Sequence, residues 1–327
     1  MNKIPVLNYY TRGSCPPEIS MFFRYITIFS FFTWTLALST LYQFPNNGSF
    51  VDNIALRSNG HLIVTRIDVP QIWSVEPTAR TASLVHDFGH DNSTITGCFG
   101  IVEVEPDIFV VVTGGIDVKT FSFKHGTFSL WMVDFNAATV SQLLAIPEAK
   151  ALSAVTKFGN LLLIADSPEG AVWRVDLQTG EYAKAIVHES MLPVPNGPPM
   201  GINGIKVLNG YLYYASNTRK EFRRVRTNEH SEAIGSFEMV SNNTAPDNFD
   251  LDEDGTAYIA TNGLNSIVRI LPDGQLDTIV GGEKSTELLG PTSCLVHGKT
   301  LYIGTNGGVT APVDGFTEPG KIAAIHI

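Results

Sequence analysis

From Thr40 onward, apolar and polar residues alternate with a period of two in short runs, separated by turns rich in Gly, Asn and Asp. This is the pattern of half-buried β-strands. The fullest unit is Ala245–Asn262, APDNFDLDEDGTAYIATN. Phe249 and Leu251 alternate with polar residues, Glu253-Asp254-Gly255 supplies a tight turn, and Ala257-Tyr258-Ile259-Ala260 returns as a second strand. The unit recurs as FVDNIALRSNGHLIVT at Phe50–Thr65, where Asp52 stands eight residues before Gly60 as Asp247 stands eight before Gly255. Two further copies open at Ser153 and Asn203, and weaker ones open near Cys98 and at Thr292. The openings fall roughly every 45 to 50 residues, a period that signals a propeller or other repeat array.

A third strand follows each hairpin: QIWSV at Gln71, SLWMVDF at Ser129, AVWRVDL at Ala171, FRRV at Phe222, SIVRIL at Ser266 and KIAAIHI at Lys321. A fourth apolar segment precedes the next unit in five cases (SLVHDF, SQLLAI, KAIVHE, SFEMVS, DTIVGG), and the missing sixth is TLYQF at Thr40–Phe44. The pattern predicts an all-β fold, a six-bladed β-propeller with four antiparallel strands per blade. The N-terminal strand would close the last blade, and residues 40–327 would form a single domain.

Residues 1–39 read as a leader. Arg24 precedes a mostly apolar core over about 25–38, followed by the small-x-small pattern Ala37-Leu38-Ser39 of a signal-peptide cleavage site. Met21 is a second candidate start. The apolar run is shorter than the ~20 residues needed to span a bilayer, and an uncleaved membrane anchor is the alternative. The chain is therefore expected in the secretory pathway or secreted, with membrane contact confined to the leader. Asn47-Gly-Ser, Asn92-Ser-Thr and Asn242-Asn-Thr are glycosylation acceptors between predicted strands.

Charge narrows the partners. Lys and Arg number 22 against 32 Asp and Glu, a net charge of −10, which disfavours nucleic acid and leaves small molecules. Cysteines 15, 98 and 294 make no disulfide framework, and Cys98 and Cys294, in non-adjacent blades, read as buried free thiols. Trp73, Trp131 and Trp173 recur on third strands as packing between blades. His188, His230 and His297 lack metal-ligand spacing, and no G-x-S-x-G, Walker A or Rossmann fingerprint occurs.

The chemistry is expected where the inner strands open onto the channel, since the axis is the natural cleft of a radial fold. Repeat alignment brings Asp52, Cys98 or Phe99, Ser153, Asn203, Asp247 and Thr292 to that ring. Two carboxylates and an amide oxygen, from Asp52, Asn203 and Asp247, are hard ligands suited to Ca²⁺ or Mg²⁺. The competing role for the two aspartates is to cap turns by accepting backbone N–H bonds.

Asp52–Ala55 (DNIA), Asn203–Lys206 (NGIK), Pro246–Phe249 (PDNF) and LLIADSPEGAVWRVDLQTG at Leu162–Gly180 together resemble the SMP-30/gluconolactonase-like propellers, in particular their fungal branch. The resemblance spans nearly all of Thr40–Ile327. It implies a cation held by Asp52, Asn203 and Asp247, acid–base work by Asp247, and substrate binding at position 153. Asp52 stands where these lactonases carry Glu and Ser153 where they carry Asn, departures that argue against lactone hydrolysis. The branch includes hetero-Diels–Alderases that join a tropolone quinone methide to a humulene-type sesquiterpene, chemistry that requires an apolar cavity and no resident cofactor.

That reaction is the expectation taken forward, with Asp247, Asn203 and Ser153 in catalytic roles and Cys98, Phe99 and Thr292 contacting hydrophobic substrates. A divalent-metal lactonase or esterase is the alternative, and a non-catalytic secreted binding propeller the third.

Overall fold

A computed structural model of the chain describes residues 37–327 and Gly13. The leader with its apolar core, and Cys15, lie outside the described residues apart from Gly13 and the segment from Ala37. Among the described residues no helix is long and apolar enough to cross a membrane.

The strands form six four-stranded antiparallel sheets arranged as blades. In chain order, β1 (Ser39–Gln43) comes first and belongs to the last blade. Blade 1 is β2 (Val51–Leu56), β3 (Leu62–Arg66), β4 (Gln71–Glu76) and β5 (Thr81–Asp87). Blade 2 is β6 (Gly97–Glu105), β7 (Ile108–Asp117), β8 (Ser122–Asp134) and β9 (Thr139–Ala145). Blade 3 is β10 (Leu152–Phe158), β11 (Leu161–Asp166), β12 (Ala171–Asp176) and β13 (Tyr182–Val187). Blade 4 is β14 (Ile202–Leu208), β15 (Tyr211–Ser216), β16 (Glu221–Arg226) and β17 (Glu238–Asn242). Blade 5 is β18 (Phe249–Leu251), β19 (Ala257–Thr261), β20 (Ser266–Ile270) and β21 (Leu276–Gly281). Blade 6 is β22 (Pro291–His297), β23 (Thr300–Thr305) and β24 (Lys321–His326), completed by β1.

The predicted architecture and closure are those observed. Ser39 pairs with Ala324 and Gln43 with Lys321, so the N-terminal strand covers an edge that β24 would otherwise leave open. Phe44, expected as the end of that strand, lies just beyond it, and its N–H donates to the Gly320 carbonyl.

The apolar faces meet between blades and leave the axis unfilled. Leu163, Val172 and Ile186 of blade 3 pack against Ile202, Leu212 and Tyr214 of blade 4, and equivalent clusters fill the other junctions. The seam between blade 6 and blade 1 is filled by Leu41, Phe44 and Ile322 against Val51, Ile54 and Leu62. Trp131 and Trp173 are buried and Trp73 half-buried in these junctions, and their indole N–H groups donate to Ser129, Asp166 and Gln71. Cys98 and Cys294 are buried free thiols, as expected, and burial pushes both thiols up.

Candidate functional site

A one-residue irregularity occurs at the channel end of the inner strands. The β2–β3 register shifts between Val51 and Ile54, β6–β7 between Cys98 and Ile101, β10–β11 between Leu152 and Val155, and β14–β15 between Ile202 and Ile205. In blade 5, Ala260 faces two residues, accepting from the Asp247 N–H and donating to the Asn248 carbonyl. Such bulges re-aim side chains that the strict alternation of a strand would send sideways into the sheet junctions. The bulged segments carry Asp52, Phe99, Ser153, Asn203 and Asp247, and all five line one cavity at the channel mouth. Glycine follows two of them because the neighbouring inner strand passes so close. A Cβ at Gly100 would lie 2.6 Å from the Ser153 carbonyl, and one at Gly204 2.9 Å from that of Asp247.

Two expected members of the ring do not line the cavity. Cys98 alternates to the other side of its strand and is wholly buried in the junction between blades 1 and 2. Thr292 also sits at a bulge, but it is buried and its hydroxyl donates to the Val51 carbonyl at 2.7 Å and the Gly304 carbonyl at 3.1 Å. It ties blade 6 to blade 1.

The cavity, about 350 Å³, has a polar floor and apolar walls. On the floor, Asn203 Nδ2 donates to Asp247 Oδ1 at 2.5 Å and Asn262 Nδ2 to Oδ2 at 3.1 Å. The Asn262 carbonyl in turn accepts from Thr310 Oγ1 at 2.6 Å and Asn306 Nδ2 at 3.0 Å, which fixes the amide's orientation toward Asp247. Ser153 Oγ donates to the Asn203 carbonyl at 3.3 Å. The walls are Phe50, Ile67, Phe99, Ile116, Phe121, Phe123 and Met200. Sequence reasoning found Phe99 but missed Asn262, Thr310 and the other wall residues. A detectable signal was available in blade 2, where fifteen residues separate Thr113 from Ser129 while four join the second and third strands of blades 1, 3, 4 and 5.

Burial pushes the Asp247 carboxyl up to about 7, against the opposing effect of the Asn262 and Asn203 amides. Burial first, and the Asp247 charge second, hold the Asp52 carboxyl well above the usual carboxylate range. Burial thus favours the protonated form of Asp52, in which the carboxyl is a hydrogen-bond donor.

The sign of the stability effect follows. A raised folded-state pKa means that the folded protein keeps a proton the unfolded chain has released, so stability falls as pH rises above about 4. Asp52→Asn, which cannot ionise, should match the parent in melting temperature near pH 4. It should gain over the parent progressively toward pH 8. A constant difference across that range in paired thermal melts would contradict the buried, raised carboxyl.

The donor set fits a divalent cation poorly. Both Asp247 oxygens already accept amide N–H bonds, Asn203 turns its nitrogen to that carboxyl, and Ser153 and Thr292 direct their hydroxyls to backbone carbonyls. Among the described residues no group of three His, Cys, Asp or Glu side chains could hold a metal ion. The floor is instead a hydrogen-bonded polar network beneath an apolar chamber.

No family model matches the chain. Two curated proteins, each described as a "Putative hetero-Diels-Alderase", are similar to it. One, from Phoma sp, is 28% identical over 312 residues, covering 83% of this chain and 87% of the relative. The other, from Sarocladium schorii, is 25% identical over 294 residues, covering 76% and 71%. Among solved structures, a luciferin-regenerating enzyme superposes with a TM-score of 0.65 at 12% identity, covering 89% of this chain and 95% of its own. The calcium-binding regucalcin of Agrobacterium tumefaciens gives 0.61 at 12% identity, covering 89% and 95%. A gluconolactonase of Xanthomonas campestris gives 0.61 at 12% identity, covering 88% and 89%. At these identities the structures establish the fold alone. The chain is thus a six-bladed propeller with the fold of the gluconolactonase and regucalcin structures, and its sequence relatives are proteins described as hetero-Diels–Alderases.

Proposed function

We propose that the protein is a hetero-Diels–Alderase that joins an electron-poor heterodiene, a tropolone quinone methide, to a hydrophobic alkene of the humulene type. The carrying observation is the channel-mouth cavity, with phenylalanine walls above a floor of two raised carboxyls, Asp52 and the amide-bonded Asp247. The relatives' description points to the same reaction.

In such a cycloaddition the carbon–carbon and carbon–oxygen bonds form together, with no proton or electron gained or lost. The protein's work is to hold two partners in a near-attack arrangement and to stabilise the electron density that builds on the heterodiene oxygen. The apolar walls would seat the alkene. A neutral Asp52 carboxyl would donate to the carbonyl oxygen of the quinone methide, and Asn203, held by Asp247, would fix the edge of its ring. No metal is required for these steps, consistent with the hydrogen bonding of the floor.

Asp52→Leu removes the proposed donor and should slow catalysed cycloaddition by about tenfold, equivalent to ~1.4 kcal/mol of transition-state stabilisation. Asp52→Asn, which keeps an N–H donor, should recover part of that rate, and the parent's rate should decline in alkaline buffer while that of Asp52→Asn stays level. Equal rates for the parent and Asp52→Leu would remove Asp52 from the mechanism.

We also assign the protein to the secretory pathway. The apolar leader supports this, as does the exposure of Asn47, Asn92 and Asn242, each at the surface and open to glycosylation.

A further inference from the structure

In blades 1, 3, 4 and 5 the second and third strands are joined by the four-residue turns Ile67–Pro70, Ser167–Gly170, Asn217–Lys220 and Asn262–Asn265. Blade 2 departs from this. Its β7–β8 ladder runs from Ile108 paired with Asp134 to Thr113 paired with Ser129, breaks register, and resumes as a separate arm in which Gly115 pairs with Lys124, Ile116 with Phe123 and Asp117 with Ser122. Glycines flank the break. Gly114 and Gly115 stand on the outgoing strand, and Gly126, at φ +76°, on the returning one. Two threonine side chains bridge it: Thr127 Oγ1 accepts from the Gly115 N–H at 2.8 Å and donates to the Lys124 carbonyl at 2.6 Å, and Thr96 Oγ1 accepts from the Ile116 N–H at 2.7 Å and donates to the Ile116 carbonyl at 2.8 Å, so the arm is free to lift only beyond Ile116.

The arm is two-faced. Asp117, Lys119, Thr120, Ser122, Lys124 and His125 are exposed, whereas Ile116, Phe121 and Phe123 line the cavity. At its tip the Phe121 ring lies 6.2 Å from that of Phe50 on blade 1, and the Phe123 ring lies 6.4 Å from that of Phe99. The arm therefore leans from blade 2 toward the neighbouring blade 1 at the channel mouth and covers part of the chamber. With the arm in this position the chamber measures about 350 Å³, near the low end of the roughly 300–1,000 Å³ of sites that take a single small ligand. The reaction proposed above must seat two partners at once.

We propose that Phe121 and Phe123 are specificity-determining residues on a hinged arm, which lifts beyond its glycine-flanked register break to admit both partners and closes its phenylalanine face over the hydrocarbon one. This rests on the channel mouth being the cycloaddition site. Closure would exclude water and restrict the faces on which the alkene can meet the heterodiene, so the arm would act on stereochemical outcome as well as on rate.

The test tethers the tip to the rim of blade 1. Phe50→Cys with Phe121→Cys, in a Cys15→Ser background, is treated with dibromobimane, which fluoresces on bridging two thiols. The buried Cys98 and Cys294 thiols, pushed up by burial, stay unreactive. Bridging should proceed, and the tethered protein should take up the apolar dye Nile red about tenfold more slowly than the same protein before tethering. Separately, Phe123→Ala and Phe123→Leu, each checked by melting temperature, should change the ratio of stereoisomeric adducts severalfold. Failure to bridge, or dye uptake unaffected by the tether, overturns the hinged arm whatever reaction the protein performs. An unchanged isomer ratio in active Phe123 variants overturns the specificity role. Slowed uptake in a protein that shows no cycloaddition upholds the arm and rejects the reaction.

Discussion

A chain beginning at Pro45, and so lacking β1, will melt far below the parent and aggregate on warming. Leu41 and Phe44 are buried in the seam between blades 6 and 1, and fully burying side chains of this size contributes about 1.5–3 kcal/mol each. Together they represent roughly 3–6 kcal/mol, a large share of the 5–15 kcal/mol typical of a folded domain. Phe44 also meets Trp73 edge-on at 5.5 Å and lies beneath the Arg66 guanidinium at 4.5 Å, so its loss loosens blade 1 as well. At 2–4 °C per kcal/mol the melting temperature should drop by roughly 10–20 °C. The exposed edge of β24 then offers unpaired backbone groups to other chains. Calorimetry with light scattering reads both effects, and an unchanged melt with no scattering would mean that the ring closes without β1.

Filling the chamber should damage catalysis more than removing a carboxylate charge. Ser153 lines the cavity, and its hydroxyl makes only long bonds, 3.3 Å to the Asn203 carbonyl and 3.5 Å to that of Ala165, so Ser153→Phe should fold while occupying the space between floor and arm. If catalysis rests on holding two partners in register, misplacing one by an ångström costs about 10²-fold, and Ser153→Phe should lose at least that. Asp247→Asn should lose about tenfold, because in a cycloaddition Asp247 positions Asn203 and takes no proton. A metal hydrolase would show the opposite order, since the residue that handles the proton there is worth several orders of magnitude. Rates of the two variants against the parent, each with its thermal melt, decide between these orders.

The fold could be read from the sequence because each blade repeats the same alternation and turn chemistry, and because TLYQF is the segment that supplies the sixth outer strand. The candidate site was only partly legible. Repeat alignment found Asp52, Phe99, Ser153, Asn203 and Asp247 because bulges recur at the same point of the inner strands. It could not tell Phe99 from Cys98, since a bulge decides which of two neighbours faces the channel, nor could it foresee that the Thr292 hydroxyl is held by the Val51 carbonyl of the next blade. Asn262, Thr310 and Phe121 lie in connections, and Phe123 in the part of β8 that extends beyond the repeat, where position along the chain says little about position in space. The same limit bears on the cation. Carboxylate and amide types at matching positions suggested a metal ligand set of Asp52, Asn203 and Asp247, while the hydrogen bonds of the floor join Asn203 and Asn262 to Asp247, which residue types alone do not reveal.

The central claim is that this chamber steers a cycloaddition by shape and hydrogen bonding. Its most direct test is the stereoisomer distribution formed from a tropolone quinone methide and a humulene-type alkene, with and without purified protein, in buffer containing a metal chelator. One adduct should predominate with protein, and chelation should change neither its share nor its rate of formation. An isomer distribution identical to the uncatalysed one, together with metal-dependent lactone opening that Asp247→Asn abolishes, would contradict the account.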